Sequence, residues 1–150
     1  MKRGTFLFTV WAAAALLLMG LRPADAQFYT QHNLVSSDAS IPAVCIDPNL
    51  VNAWGLSVGA TSPWWVSDNG TAKTSLYNIS TLSAAPPCPA SFTVFNVPGQ
   101  PTGQVRNNGT GFLLQNAAGV PGVATFILAS ENGIISGNRG GTTMVIGYDN

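Results

Sequence analysis

The sequence predicts an all-β chain: two four-stranded antiparallel blades of an incomplete β-propeller, with a small β-sandwich as the alternative use of the same strands. Three observations lead there. A phrase returns: Trp65-Val66-Ser67-Asp68-Asn69-Gly70 comes back 63 positions later as Leu128-Ala129-Ser130-Glu131-Asn132-Gly133. Each copy is an apolar strand that ends on a small residue, an acid and Asn-Gly, a strong hairpin signal because both residues tolerate positive φ. A strand-plus-hairpin unit at such a period marks a repeat array. Beyond residue 26 the chain is also studded with Gly, Pro, Asn, Ser and Thr, which break helices and make turns. The apolar stretches between them are short and rich in β-branched and aromatic residues.

The first segment stands apart. Lys2 and Arg3 form a basic start, Phe6 to Leu21 is apolar or small except for Thr9, and Ala24-Asp25-Ala26 is an A-x-A cleavage site. That is the layout of a signal peptide over residues 1–26. The run is short for a membrane span, which needs about 20 residues, and Arg22-Pro23 ends it. The chain is therefore expected to be secreted or periplasmic, with an uncleaved membrane anchor as the alternative.

Residues 27–51 are read as an N-terminal segment and loop. Asn33 to Ser36 suits a first short strand, and Ser37 to Asn49 a loop that holds Cys45 and Asp47-Pro48. The first blade covers about 52–97. Its strands are Trp54 to Val58, Trp64 to Ser67 after the Gly59–Pro63 turn, Thr74 to Tyr77 after Asn69-Gly70, and Phe92 to Val97. Ser80 to Ser91 is a Pro-, Ala- and Ser-rich loop that carries Cys88. Pro98-Gly99-Gln100-Pro101 separates the quartets, and the second blade covers about 101–150. Its strands are expected at Gly111 to Gln115, Thr125 to Ala129, Gly133 to Ser136 and Thr142 to Tyr148, with an insertion over Asn116 to Gly122. Of the aromatic cluster Trp54, Trp64 and Trp65, the last two are adjacent and point to opposite faces of a strand. Between neighbouring blades both can be buried, and packing is preferred over a sugar-stacking surface.

Past residue 26 the cations are Lys73, Arg106 and Arg139, and the acids are Asp38, Asp47, Asp68, Glu131 and Asp149, a net charge of −2. No basic patch exists for phosphate, so nucleic acid is excluded as a partner, and no polybasic stretch suits an anionic membrane surface after signal cleavage. The two cysteines of an exported chain read as one disulfide, Cys45–Cys88. Closing that loop is worth about 3–4 kcal/mol on the chain-entropy picture.

Two motifs carry a resemblance. Asn52-Ala53-Trp54-Gly55-Leu56-Ser57, then Trp64 to Gly70 and Ser75-Leu76-Tyr77-Asn78, are similar to the blade motif of six-bladed NHL-like propellers. The chain resembles more closely an uncharacterised family of exported bacterial proteins with an NHL-like six-bladed pattern. That family carries Asp-Pro-Asn-Leu-Val-Asn-x-Trp-Gly, here Asp47 to Gly55, and Ser-Pro-x-Trp-Val-Ser-Asp-Asn-Gly-Thr, here Ser62 to Thr71 with an extra Trp. Pro101 to Val105 and Glu131 to Gly137 match it as well, whereas Asn138 stands where the family has Trp. The resemblance covers most of residues 33–150 and implies that the chain corresponds to the N-terminal portion of a longer protein. It implies no particular activity.

Chemistry is sparse. His32 is the single histidine, and neither Gly-x-Ser-x-Gly nor His-Glu-x-x-His occurs. A catalytic triad would have to borrow His32, and two distant cysteines without a second histidine do not make a zinc site. The best polar set is Asp68 and Asn69 with Glu131 and Asn132. At equivalent ends of neighbouring blades their oxygens could hold a hard cation such as Ca²⁺, as in the six-bladed lactonases that this pattern resembles. The competing reading is ordinary hairpin chemistry, with Asp accepting backbone N–H bonds. The sequence thus favours a non-catalytic exported segment that acts in binding or assembly, with no cofactor. The alternative is the N-terminal part of a lactonase-like or other hydrolase propeller with a metal in its channel. Two blades would also leave open, apolar faces, so residues 27–150 are expected to behave as a fragment that self-associates.

Overall fold

Turn residues decide where this chain reverses, and strand alternation decides which face each strand buries. The computed structural model describes residues 30–82 and 88–150, so the signal-peptide reading of residues 1–26 lies outside them. From His32 to Asn150 the chain forms one unit. It is nearly all β, built on two four-stranded antiparallel sheets. The first is a simple meander of β3 (Ala53–Val58), β4 (Trp64–Asp68), β5 (Lys73–Tyr77) and β6 (Thr93–Asn96). The second takes β7 (Pro101–Arg106), β10 (Phe126–Ser130), β11 (Ile135–Gly137) and β12 (Val145–Tyr148), in that spatial order. Two small pairs complete the unit. The parallel pair is β1 (Val35–Ser36) with β2 (Cys45–Ile46), and the hairpin is β8 (Leu113–Gln115) with β9 (Pro121–Val123).

Each turn has a local cause. Between β3 and β4 the Ser62 hydroxyl accepts the Gly59 amide at 2.8 Å, an ST-type closure that Pro63 follows. Between β4 and β5, Asn69–Thr71 forms a 3-10 turn, and Ala72 takes a left-handed φ of 52° to bring Lys73 opposite Asp68. The matching turn of the second sheet is tighter. Gly133 adopts φ 83°, and Ser130 and Ile134 face each other through a 2.9 Å bond across residues 131–133.

The two sheets pack face to face. Trp65 from β4 stacks on Phe126 from β10, with ring centroids 4.3 Å apart, and on Phe95 from β6 at 5.1 Å. Val97, Leu128 and Met144 close the cluster around these rings. At the inner edge β3 runs against β7: a Cβ on Gly55 would stand 2.6 Å from the Thr102 carbonyl oxygen, so only glycine fits. The Gln104 side-chain amide spans the same gap, donating to the backbone carbonyls of Gly55 (3.0 Å) and Trp65. At the outer edge Asn96 and Thr143 form a parallel bridge. Strands alternate in direction within each sheet, so the two meanders run in the same sense.

Several expectations are corrected. The first strand of the second sheet is Pro101–Arg106, and the expected Gly111–Gln115 strand belongs instead to the β8–β9 hairpin. The polar side of β7 faces a neighbouring backbone, where Gln104 rather than a bulky apolar residue is needed. The loop expected over Ser37 to Asn49 holds a strand, because Cys45 and Asp47 donate backbone bonds to Leu34 and Ser36. Trp65 is buried at 5 % exposure, but Trp64 is 36 % and Trp54 60 % exposed, so the aromatic cluster is not buried as a whole. The repeated phrase also slips by one residue. Its turns match 63 positions apart, yet Trp65 and Leu128 both point into the shared cluster, so they face each other. By direction the pairs are Trp64 with Phe126, Val66 with Leu128 and Asp68 with Ser130, 62 positions apart. The shorter turn over residues 131–133 absorbs the difference.

The disulfide is present: Cys45 and Cys88 are joined, with Cα atoms 5.6 Å apart. It ties the β1–β2 pair over a second apolar cluster on the other face of the first sheet, where Cys45 and Tyr77 pack with Leu34, Val35, Leu50, Val66 and Phe92.

The close approach of β3 and β7 yields a direct prediction. Gly55→Val would force these backbones apart and should lower stability by roughly 1–3 kcal/mol, the usual cost of overpacking. Urea unfolding of the two proteins measures it, and an unchanged midpoint would contradict the packing described.

Candidate functional site

Two polar groups of side chains are built around the β4–β5 turn. The first sits where the second strands of both sheets end. Asn69 donates its amide to Glu131 Oε1 at 2.7 Å, and its own carbonyl accepts Asn52 Nδ2 at 3.0 Å. Asn52 has φ 53°, a conformation that asparagine tolerates better than most residues. The Glu131 backbone amide donates to the Gln100 carbonyl at 3.0 Å. The Asn132 side chain lies over Gly99, where a Cβ would meet its Oδ1 at 2.5 Å. The structure therefore joins Asn69 to Glu131, and Asn132 follows Glu131 on the turn of the second sheet, against Gly99.

Asp68 does not join that group. Its side chain points to the opposite side of the first sheet and is fully buried. Ser75 donates to its Oδ2 at 2.6 Å, while Oδ1 has no hydrogen-bond partner among the described residues. Nearby, Tyr77 donates its phenol to Asp47 Oδ2 at 2.7 Å, and Asp47 is also fully buried. Asp47 Oδ1 accepts from the backbone and side-chain nitrogens of Asn49, and Lys73 Nζ reaches Asn49 Oδ1 at 2.7 Å. Asp47 thus fastens the segment after β2 to β5, in the manner of an Asx turn with a long-range anchor. Burial pushes the Asp68 carboxyl up to about 7, and the Asp47 charge adds to it; the Ser75 hydrogen bond and Lys73 act in the opposite direction. Burial likewise raises the Tyr77 phenol, and its bond to Asp47 holds the proton on.

Beside this network lies an open groove of about 560 Å³. His32, Leu56, Trp64, Val66, Tyr77 and Ile79 are among its lining residues. Its walls are apolar, and His32 is the one titratable group there besides the Tyr77 phenol. Ser75, the hydroxyl nearest an acid, is itself fully buried and spends its proton on Asp68. Among the described residues no three His, Cys, Asp or Glu side chains come together. The four residues considered for a cation are thus split. Asn69, Glu131 and Asn132 share one end of the sheets, and Asp68 faces the other way.

Sequence reasoning found the Asn69–Glu131 meeting through the repeated phrase. It missed the partnership of Asp47 with Tyr77, 30 positions apart. The one available signal was Asp-Pro-Asn, a turn triplet that gives no hint of what its acid reaches. Comparison of the chain with family models, with curated proteins and with solved structures finds no match in any of the three.

The buried Asp68 makes stability depend on pH. Its folded-state value near 7 exceeds the ordinary value of 3.8, so the folded protein holds a proton that the unfolded chain has lost. Stability from this group is full below about pH 4 and falls as pH rises toward and past 7. Asp68→Asn keeps the neutral shape and removes the titration. Urea midpoints at pH 5 and pH 8 should therefore differ less in Asp68→Asn than in the parent protein. An equal difference in the two proteins would show that Asp68 is ionised throughout.

Proposed function

We propose that this chain is an exported, non-catalytic β-propeller segment that works by binding or assembly through the faces of its sheets. The observation that carries the reading is a pair of apolar outer faces. The first sheet turns Leu56, Val58 and Trp64 outward, and the second turns Val105 and Tyr148 outward, each at least a third exposed. A monomer rarely leaves apolar strand faces uncovered without a partner for them. Two meanders of the same sense, close at their inner strands, support the reading as neighbouring blades. The Cys45–Cys88 disulfide suits an oxidising compartment, and among the described residues no helix is long and apolar enough to cross a membrane. The motifs at Asp47 to Gly55 and Ser62 to Thr71 support export by their likeness to the exported bacterial family.

The second reading is a lactonase-like or other hydrolase propeller with a Ca²⁺ site in its channel. The Asn69–Glu131 contact favours it, since two oxygen-bearing groups from separate sheets meet there. Two measurements separate the readings. Calorimetric titration of the exported protein with calcium chloride should give no stoichiometric uptake, and a panel of lactones should show no turnover. One-to-one Ca²⁺ binding that is lost in Glu131→Gln, together with lactone hydrolysis, would replace the first reading by the second. Exposed apolar faces should also bind the dye anilinonaphthalene sulfonate, and Leu56→Lys should reduce its fluorescence. Dye binding unchanged in Leu56→Lys, or none at all, would count against the faces as binding surfaces.

A further inference from the structure

The chain contains one complete sheet-to-sheet contact and half of another on each side. In the complete one, β3 of the first sheet lies against β7 of the second, with Gly55 and Gln104 at the line of contact. On the reverse of β3 stand Leu56 and Val58, next to Trp64 of β4. On the reverse of β7 stands Val105, next to Ile127 of β10. Leu56 is 59 % and Val105 56 % exposed. Each bare strip lies along the innermost strand of its sheet. Farther out both sheets are partly covered, with Tyr148 at the outer edge of the second still exposed. The disulfide-tied β1–β2 pair packs by Leu34 and Val35 over Tyr77. The β8–β9 hairpin presses Leu114 and the adjacent Phe112 onto Gly137 and Gly147, where a Cβ would have no room. On both sides the innermost strand lies outside this cover.

We infer that the outer face of the first sheet docks on the outer face of the second sheet in another copy of this chain. The contact continues the interface already present within the chain. There, two sheets of like sense meet with β3 beside β7, and the same relation carried to a second copy again sets a β3 beside a β7. It buries the strip of Leu56, Val58 and Trp64 against the strip of Val105 and Ile127. None of these residues is charged, and the mature chain holds only three cations and five acids, so copies meet without strong repulsion. The two patches differ, so the association is head-to-tail. Every added copy leaves one free patch of each kind, and the series ends only by closing into a ring. This inference rests on the reading of the outer faces as binding surfaces and names their partner.

The test uses the full chain, exported to an oxidising compartment, with mass measured by light scattering over a concentration series. The parent protein should exceed the monomer mass, increasingly so with concentration. Leu56→Lys and Val105→Lys each remove one patch at an exposed position, and each alone should be monomeric. Mixed in equal amounts they should form a one-to-one dimer of twice the monomer mass, because each retains the patch that the other lacks. An isologous contact gives a different pattern, in which one variant associates like the parent and mixing rescues nothing. That pattern would overturn the inference, as would a mixture that stays monomeric. Near-UV circular dichroism and the mass of the unreduced protein check folding. If either lysine variant fails this check, Leu56→Gln and Val105→Gln carry the same test with the same expected outcomes. A parent protein that stays monomeric at every concentration also overturns self-docking. In that event, dye binding that Leu56→Lys abolishes would leave the outer faces as binding surfaces for some other partner.

Discussion

The stacking of Trp65 on Phe126 is the contact on which the rest of the molecule depends. It joins the second strand of one meander to the second strand of the other, and Phe95 backs the indole from within its own sheet. A stack of three rings fixes the spacing between sheets at a distance that the smaller residues around it then follow. Gly55 and the Gln104 amide lie at the inner edge, and the Asn96–Thr143 bridge lies at the outer edge. Each would be out of reach if the rings did not set the gap. Stacked aromatic pairs add about 0.5–1.5 kcal/mol beyond the area they bury, which matters in a unit with few large core residues.

The interior of this unit is unusually polar for a β core. Ser67, Thr74, Ser75 and Ser136 are fully buried, and among the described residues the hydroxyls of Ser67, Ser130 and Ser136 have no hydrogen-bond partner. Of these residues, Ser67, Thr74 and Ser136 face the other sheet and their small side chains let the sheets approach; a Cβ on Gly55 would already stand 3.0 Å from the Ser67 hydroxyl. Close approach and apolar burial compete here, and close approach prevails at the inner strands. The two acids follow another logic. Asp47 is fastened by Tyr77 and Asn49 and acts as a clamp. Among the described residues Asp68 has one hydroxyl partner and a second oxygen without any, and with its carboxyl pushed up to about 7 by burial it is only partly ionised at neutral pH. A carboxyl so placed weakens the fold as it ionises, which sets it apart from the surface Glu131 that the repeated phrase pairs with it.

Much of the architecture was legible because it rests on local signals. Turn chemistry at Gly59–Pro63 and at Asn69-Gly70 marks the first meander almost strand by strand, and an even cysteine count after a segment that reads as a signal peptide marks the disulfide. What stayed hidden depends on contacts remote in sequence. Pro101–Arg106 does not read as a core strand, because Thr102 and Gln104 face a backbone rather than an apolar wall. Cys45–Ile46 is a strand only by virtue of Leu34 and Ser36. The repeated phrase led to Asn69 and Glu131 meeting, yet its alignment through the turns put Trp65 and Leu128 in equivalent places when they face each other. A hairpin one residue shorter reverses every side chain that precedes it. No local pattern marks the difference between a turn over 131–133 and a longer one over 69–72.

A double-mutant cycle on Trp65 and Phe126 tests the central claim most directly. Trp65→Leu, Phe126→Leu and the double variant would be unfolded in urea beside the parent protein. If the two sheets are held by this stack, the single losses are non-additive, with a coupling of about 0.5–1.5 kcal/mol. Strict additivity of the two losses would mean that the rings do not touch across the sheets, and it would contradict the face-to-face arrangement itself.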